Sequence, residues 1–208
     1  MEYKPDRHHR CSIRLKGYDY SEAGAYFVTI CAQNRECLFG EIRNGGMMLN
    51  EYGEIVRKEW MNTGIVRSYV ELDEYVVMPN HFHGILVING RGTACRVRHE
   101  NVRDESMGTA RRVPMVEQFA KPVAGSIPTI IRSFKSAVTK SINQFRNTPG
   151  HPVWQRNYYE HIIRSEEEMY RICRYIIENP AKWAEDEDNP ENIHRSGMHA
   201  MPLQATNV

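Results

Sequence analysis

No apolar run in this sequence approaches the ~18–20 residues that span a bilayer, so no membrane-spanning helix is expected. The opening decapeptide, MEYKPDRHHR, lacks the apolar stretch of a secretory signal. Together these absences predict a cytoplasmic protein with no membrane partner. Cysteine is sparse and oddly counted: Cys11, Cys31, Cys37, Cys95 and Cys173 make five, and none stands in a C-x-x-C pair. That argues against a disulfide framework and against a cysteine zinc knuckle. There is no H-E-x-x-H string for a zinc protease helix and no G-x-x-x-x-G-K-S/T loop for nucleotide phosphates. Internal repeats and low-complexity blocks are also missing.

What is present is a globular composition. With 208 residues, 41% hydrophobic and 25% charged, the chain is long enough for one domain with a real core, and it is neither collagen-like, coiled-coil nor wholly disordered. The formal net charge of +1 conceals blocks. Between Ser126 and Arg164 six basic residues (Arg132, Lys135, Lys140, Arg146, Arg156, Arg164) face one acid, Glu160. Residues 91–112 hold six arginines against three acids, whereas Ser165 to Glu191 holds nine acids against three basic residues. A basic middle followed by an acidic end suggests a polyanion-binding face with a separate solvating end.

Patterning supplies the elements. Ala25–Cys31 is β-branched and aromatic and reads as a strand, with Leu38–Ile42 expected beside it after a polar turn. Gly45-Gly46 is a tight turn before Met47–Leu49, and Asn50 can cap a helix over Glu51–Met61. Val70–Met78 and Phe82–Ile88 are apolar runs joined through Pro79-Asn80, as in an antiparallel pair. Residues 89–125, rich in arginine and without a sustained period, read as an inserted and partly mobile surface loop. Ser126–Phe145 carries Ile127, Ile130, Ile131, Phe134, Val138 and Ile142 on one helical side. Val153–Ile163 is strand-like at its ends, and Ser165 with Glu168 forms a capping box that opens a helix to about Glu178. After Trp183 a loosely held acidic tail is expected. The order β-β-α-β-β-α-β-α predicts an α+β fold, helices packed on one face of an antiparallel sheet. Residues 1–185 would form the domain and 186–208 a polar tail.

Chemistry concentrates in two places. His81 and His83 flank Phe82, and alternation along a strand throws both imidazoles to one face while Phe82, Leu86 and Ile88 point to the other. Two neutral imidazoles on a rigid strand form half of a metal site, and a third donor must come from elsewhere. A third alternating histidine would make a histidine triad, but Ile85 stands there. On the late helix, Met169, Cys173 and Ile176 form the core stripe, with Tyr175 and Asn179 on its flank one turn apart. Taken alone, Tyr175 is equally a packing residue with a wet hydroxyl, and Asn179 before Pro180 equally a helix terminator.

The ordered series His81-Phe82-His83, Trp154-Gln-Arg-Asn-Tyr-Tyr159 and Tyr175-Ile-Ile-Glu-Asn-Pro180 resembles the HUH single-tyrosine transposases. Within them it is most similar to the REP-associated tyrosine transposases of bacteria. Ser12–Tyr20, Tyr26–Cys31 and Glu71–Asn80 join the resemblance, which spans most of residues 10 to 185. It implies a ferredoxin-like antiparallel sheet of the HUH endonuclease type. It also implies a divalent cation, Mg²⁺ or Mn²⁺, held by His81, His83 and Asn179, with Tyr175 as nucleophile. Asn179 stands where better-known relatives carry glutamine, so its shorter side chain must come closer to the ion or act through water.

Such an enzyme nicks single-stranded DNA bearing hairpins, keeps a 5′-phosphotyrosine link and a free 3′-hydroxyl, and needs no ATP. It would act as a monomer or as a homodimer that exchanges tyrosine helices. Arg132, Lys135, Lys140 and Arg156 are the candidate DNA contacts. A non-catalytic protein that binds hairpin or palindromic nucleic acid is the alternative function. A hydrolase of small phosphates would need a carboxylate cluster or a phosphate-cradling glycine loop, and the sequence offers neither.

Overall fold

The computed structural model describes residues 18–89 and 123–192. The elements run β1 (Gly24–Cys31), β2 (Gly40–Arg43), β3 (Gly46–Leu49), α1 (Glu51–Ile65), β4 (Val70–Val77), β5 (His81–Ile88), α2 (Ile127–Phe145), β6 (Tyr159–Ile163) and α3 (Glu166–Glu178). Short 3₁₀ turns at Gln33–Arg35 and Pro180–Glu185 punctuate this order. Four strands form one antiparallel sheet in the order β4-β5-β1-β6. With α1 between β1 and β4, and α2 between β5 and β6, this is the ferredoxin-like β-α-β-β-α-β arrangement, carrying β2 and β3 as an extra hairpin. Among the described residues no helix is long and apolar enough to cross a membrane.

Local chemistry explains the boundaries. Asn50 caps α1, its side-chain oxygen accepting from the backbone N–H of Tyr52 at 2.9 Å and Gly53 at 3.0 Å. Ser165 accepts from Glu168 N at 3.2 Å at the start of α3, while the Glu168 carboxylate takes the backbone N–H of Arg164 at 2.7 Å. The two-residue Pro79-Asn80 connection closes with Met78 N donating to His81 O at 2.8 Å, so β5 begins at the first histidine. The expected apolar stripe of α2 is buried throughout, from Ile127 to Ile142.

Two expectations need correction. Leu38–Ile42 does not lie beside β1; that stretch contributes β2, which pairs only with β3, and the neighbours of β1 are β5 and β6. The helices do not share one face. Tyr26, Val28, Ile30, Phe82 and Leu86 pack with Val56 and Trp60 of α1 and with Phe134 and Val138 of α2. Phe27, Ile85 and Ile163, whose side chains alternate to the other side, pack under Ile176 of α3. Val153–Ile163 is extended at its two ends as expected: Tyr159–Ile163 is a strand and Trp154 makes an isolated bridge to Ala32.

Most of the expected insertion, residues 90–122, lies outside the described residues, as does the tail from 193 onward. The described start of that tail is held: Asn80 Nδ2 donates to Asp188 O at 2.7 Å, and the Asp188 carboxylate pairs with Arg35.

Candidate active site

The face of the sheet under α3 carries the candidate site. His81 and His83 project from it side by side, ring centroids 4.5 Å apart, and both are buried. Each imidazole is fixed through its inner nitrogen. Asn80 Nδ2 donates to two carbonyls, Arg35 O at 3.1 Å and Asp188 O at 2.7 Å, which orients the amide and turns Oδ1 toward His81 Nδ1, 2.9 Å away. An amide oxygen only accepts, so the His81 proton sits on Nδ1 and the Nε2 lone pair is open. His83 Nδ1 lies 2.8 Å from Thr29 Oγ1, the residue opposite it in the β1–β5 register. With that proton given to Thr29, His83 Nε2 likewise presents a lone pair.

Burial keeps both rings neutral: it pushes His81 well below the ordinary imidazole value and His83 down to about 3.

Tyr175 and Asn179, one turn apart on α3, face these rings. Tyr175 Oη is 3.2 Å from His83 Nε2, and the phenol ring packs edge-on against Phe27. Burial raises the phenol above its ordinary value and the Asp186 carboxylate adds to the rise; a hydrogen bond with the Asn179 side chain works the other way. Burial also lifts Asp186, to about 6, with the Asn179 hydrogen bond again opposing. Both hydrogen bonds favour the anionic form of their partner, so Asn179 donates through Nδ2 and its Oδ1 is left over. That oxygen is buried without a hydrogen-bond partner, and so is His81 Nε2.

A buried polar atom without a partner is costly. Here one such atom, His81 Nε2, belongs to the ring beside His83, whose Nε2 has a phenol as companion, and the other, Asn179 Oδ1, lies one helical turn after that phenol. Two neutral imidazole nitrogens and an amide oxygen suit a divalent cation of the Mg²⁺ or Mn²⁺ kind. Among the described residues no cluster of three or more His, Cys, Asp and Glu side chains is placed to hold a metal. Trp183, in the 3₁₀ turn after α3, covers His81 with its ring centroid 6.0 Å away.

Of the eight singled-out residues, the fold gathers His81, His83, Tyr175 and Asn179 here. Lys135, Lys140 and Arg156 line a different concavity, between α2 and the chain after it. Arg132 is exposed one turn earlier on the same side of α2, outside that lining. Thr29, Asn80 and Asp186 escaped sequence reasoning. Asn80 read as turn chemistry and Asp186 as solvated tail; Thr29 could have been found only from its register opposite His83.

Comparisons with known proteins fit this geometry. No family model matches the sequence. An uncharacterised protein of Haemophilus influenzae is 41% identical over 187 residues, which cover 89% of this chain and 96% of that protein. A solved structure of a REP-associated tyrosine transposase bound to a REP hairpin has a TM-score of 0.52 and 16% identity, covering 96% of this chain and 95% of the other. The likeness establishes a shared fold, that of the HUH tyrosine transposases.

Proposed function

From the premise that this chain belongs to one family with the Haemophilus influenzae protein and has the fold of the HUH tyrosine transposases, we propose a metal-dependent nicking and strand-transfer activity on single-stranded DNA. The observation that carries the reading is the approach of the Tyr175 hydroxyl to the histidine pair, 3.2 Å from His83 Nε2, together with two buried acceptors that have no partner, His81 Nε2 and Asn179 Oδ1. Those three atoms would hold the cation. Bound there, it would supply positive charge against the phosphoryl oxygens of the substrate.

The chain's own groups do the rest. Tyr175 Oη is the nucleophile: its bond to phosphorus forms as the bond from phosphorus to the 3′-oxygen breaks. The phenol gives up one proton as it attacks and the leaving 3′-oxygen takes one up, so the step balances: a 3′-hydroxyl departs while the 5′ end of the DNA stays on the tyrosine. Attack by another 3′-hydroxyl on that link reverses the step and joins strands. Phe27 packs against both the His83 and Tyr175 rings and fixes the approach of the phenol. Asn80 and Thr29 hold the imidazoles in the orientation that faces it. Hairpin-bearing DNA of the REP kind is the substrate we carry over from the solved relative of this fold.

The test is incubation of the full chain with a hairpin oligonucleotide and Mn²⁺, followed by denaturing electrophoresis. A covalent protein–DNA adduct in wild type that is absent in Tyr175→Phe is expected. Equal adduct in both would remove Tyr175 as the nucleophile. Tight hairpin binding with no adduct from wild type on any hairpin would favour the non-catalytic reading.

A further inference from the structure

Two side-chain amides border the candidate site, Asn80 and Asn179. An amide oxygen accepts and an amide nitrogen donates, so a half-turn of the group exchanges one role for the other. Asn80 is fixed through its nitrogen, which donates to Arg35 O at 3.1 Å and to Asp188 O at 2.7 Å. Asn179 needs a device of the same kind. It is 3% exposed, it stands at the end of α3, and its Oδ1 is buried without a hydrogen-bond partner. A free amide would turn that oxygen to any donor in reach, because a stranded acceptor is costly.

The acidic stretch after the 3₁₀ turn supplies the constraint. The Asn179 side chain hydrogen-bonds both the Asp186 carboxylate and the Tyr175 phenol. A carboxylate only accepts, so Asn179 meets it through Nδ2. Asp186 is itself pinned: its backbone N–H donates to Trp183 O at 3.2 Å, and its carbonyl accepts from Asn189 N at 3.1 Å and Asn192 Nδ2 at 3.0 Å. Its Oδ1 also accepts from Asp188 N at 2.7 Å. Two positions on, the Asp188 carbonyl is the one that fixes Asn80, and the Asp188 carboxylate pairs with Arg35. One short turn of chain, 186–188, therefore reaches both amides.

The turn alone does not call for a carboxylate. A side-chain oxygen bonded to the backbone N–H two residues on is made equally well by asparagine. Three consecutive acids, Asp186, Glu187 and Asp188, also repel one another. What aspartate has and asparagine lacks is a second accepting oxygen, which can meet only the nitrogen of a neighbouring amide.

We propose that Asp186 is a positioning residue of the cation site, its carboxylate fixing the Asn179 amide so that Oδ1 is turned to the histidines. The assignment rests on the reading of Asn179 as a ligand.

The experiment is titration calorimetry of the full chain with Mn²⁺ in the absence of DNA, with a melting curve for every variant. In Asp186→Asn the new oxygen can keep the contact with Asp188 N, which sets a donating nitrogen against Asn179 and invites its amide to turn over. Mn²⁺ affinity should fall about 10- to 100-fold while the melting temperature stays close to that of wild type. Asp186→Ala loses the turn contact as well, so it should melt lower, yet weaken Mn²⁺ no more than Asp186→Asn does. Glu187→Gln removes a neighbouring charge and should cost no more than about 5-fold. With Asn179→Asp the ligand has two equivalent oxygens and its orientation ceases to matter. Adding Asp186→Asn to that chain should again cost no more than about 5-fold.

Equal losses from Asp186→Asn in the two backgrounds would make Asp186 only a charge near the ion and overturn the proposal. Losses that simply follow the melting temperatures, or an unchanged affinity in Asp186→Asn, would overturn it too. The two readings fail separately. If Asn179→Ala loses Mn²⁺ and Asp186→Asn does not, only the positioning role falls. If Asn179→Ala binds Mn²⁺ as wild type does, or wild type binds none, the ligand reading falls and takes the proposal with it.

Discussion

The Tyr175 hydroxyl lies 3.2 Å from His83 Nε2, and Thr29 Oγ1 lies 2.8 Å from His83 Nδ1; in the tautomer with its proton on Nδ1, the phenol donates and the ring accepts. One imidazole lone pair serves one partner. Under the proposed function the phenol and the cation would compete for the same nitrogen, and the phenol would let go of His83 when an ion binds.

This competition predicts that Tyr175→Phe binds Mn²⁺ more tightly than wild type. Removal of one neutral hydrogen bond corresponds to about 2- to 10-fold. Titration calorimetry of the two proteins checks it, and a weakened variant would mean that the phenol supports the ion instead of excluding it.

Asn80 fixes the proton position on His81 and bonds two carbonyls at once. Asn80→Ala leaves all three groups without this partner. Mn²⁺ affinity should fall about 10- to 100-fold, the usual effect of losing a residue that orients a metal-binding imidazole. Chemical denaturation should show a loss of about 1–3 kcal/mol from the stranded polar groups.

Gly84 follows the second histidine and faces the α1 side of the sheet. A Cβ there would meet Trp60 Cζ2 at 2.7 Å and Phe82 Cε1 at 2.9 Å, in a fully buried cluster. Gly84→Ala is expected to cost about 1–3 kcal/mol by overpacking. A fall in the urea midpoint measures it; an unchanged midpoint would mean the Trp60 ring yields freely.

Burial brings the Lys135 ammonium from its ordinary 10.5 down to about 8. The concavity that Lys135 lines therefore carries this charge at pH 7 and has lost most of it at pH 9. Affinity for single-stranded DNA should drop over that interval by about 2- to 5-fold, the worth of one charge contact, and the drop should be absent in Lys135→Met. Folding stability moves the opposite way. Between about pH 8 and 10.5 the unfolded chain binds more protons at this lysine than the folded chain does, so the lysine's contribution favours folding increasingly as pH rises.

Alternation along one strand made the histidine pair legible, and period-3.6 spacing did the same for the α2 stripe, because each depends only on neighbours in sequence. The partners of β1 were not legible in this way. Leu38–Ile42 is as strand-like as the true partners, and only the packing of distant segments selects β5 and β6. Nor does the amphipathic pattern of α3 say which side of the sheet it will cover. Asn80 and Asp188 show the limit most clearly: one reads as a turn and the other as tail, and their meeting spans 108 positions.

The buried cluster beneath α3 consists of Phe27, Ile85, Ile163 and Ile176, while the far larger cluster on the other face joins the sheet to both α1 and α2. Partly buried side chains widen that seat, among them Met169, Ile172, Cys173 and Tyr175 of α3 itself, yet it shares no buried residue with the cluster that joins the sheet to α1 and α2. Under the proposed chemistry, a DNA end tethered to Tyr175 would thus ride on the smaller of the two apolar layers, separate from the packing that joins the sheet to α1 and α2.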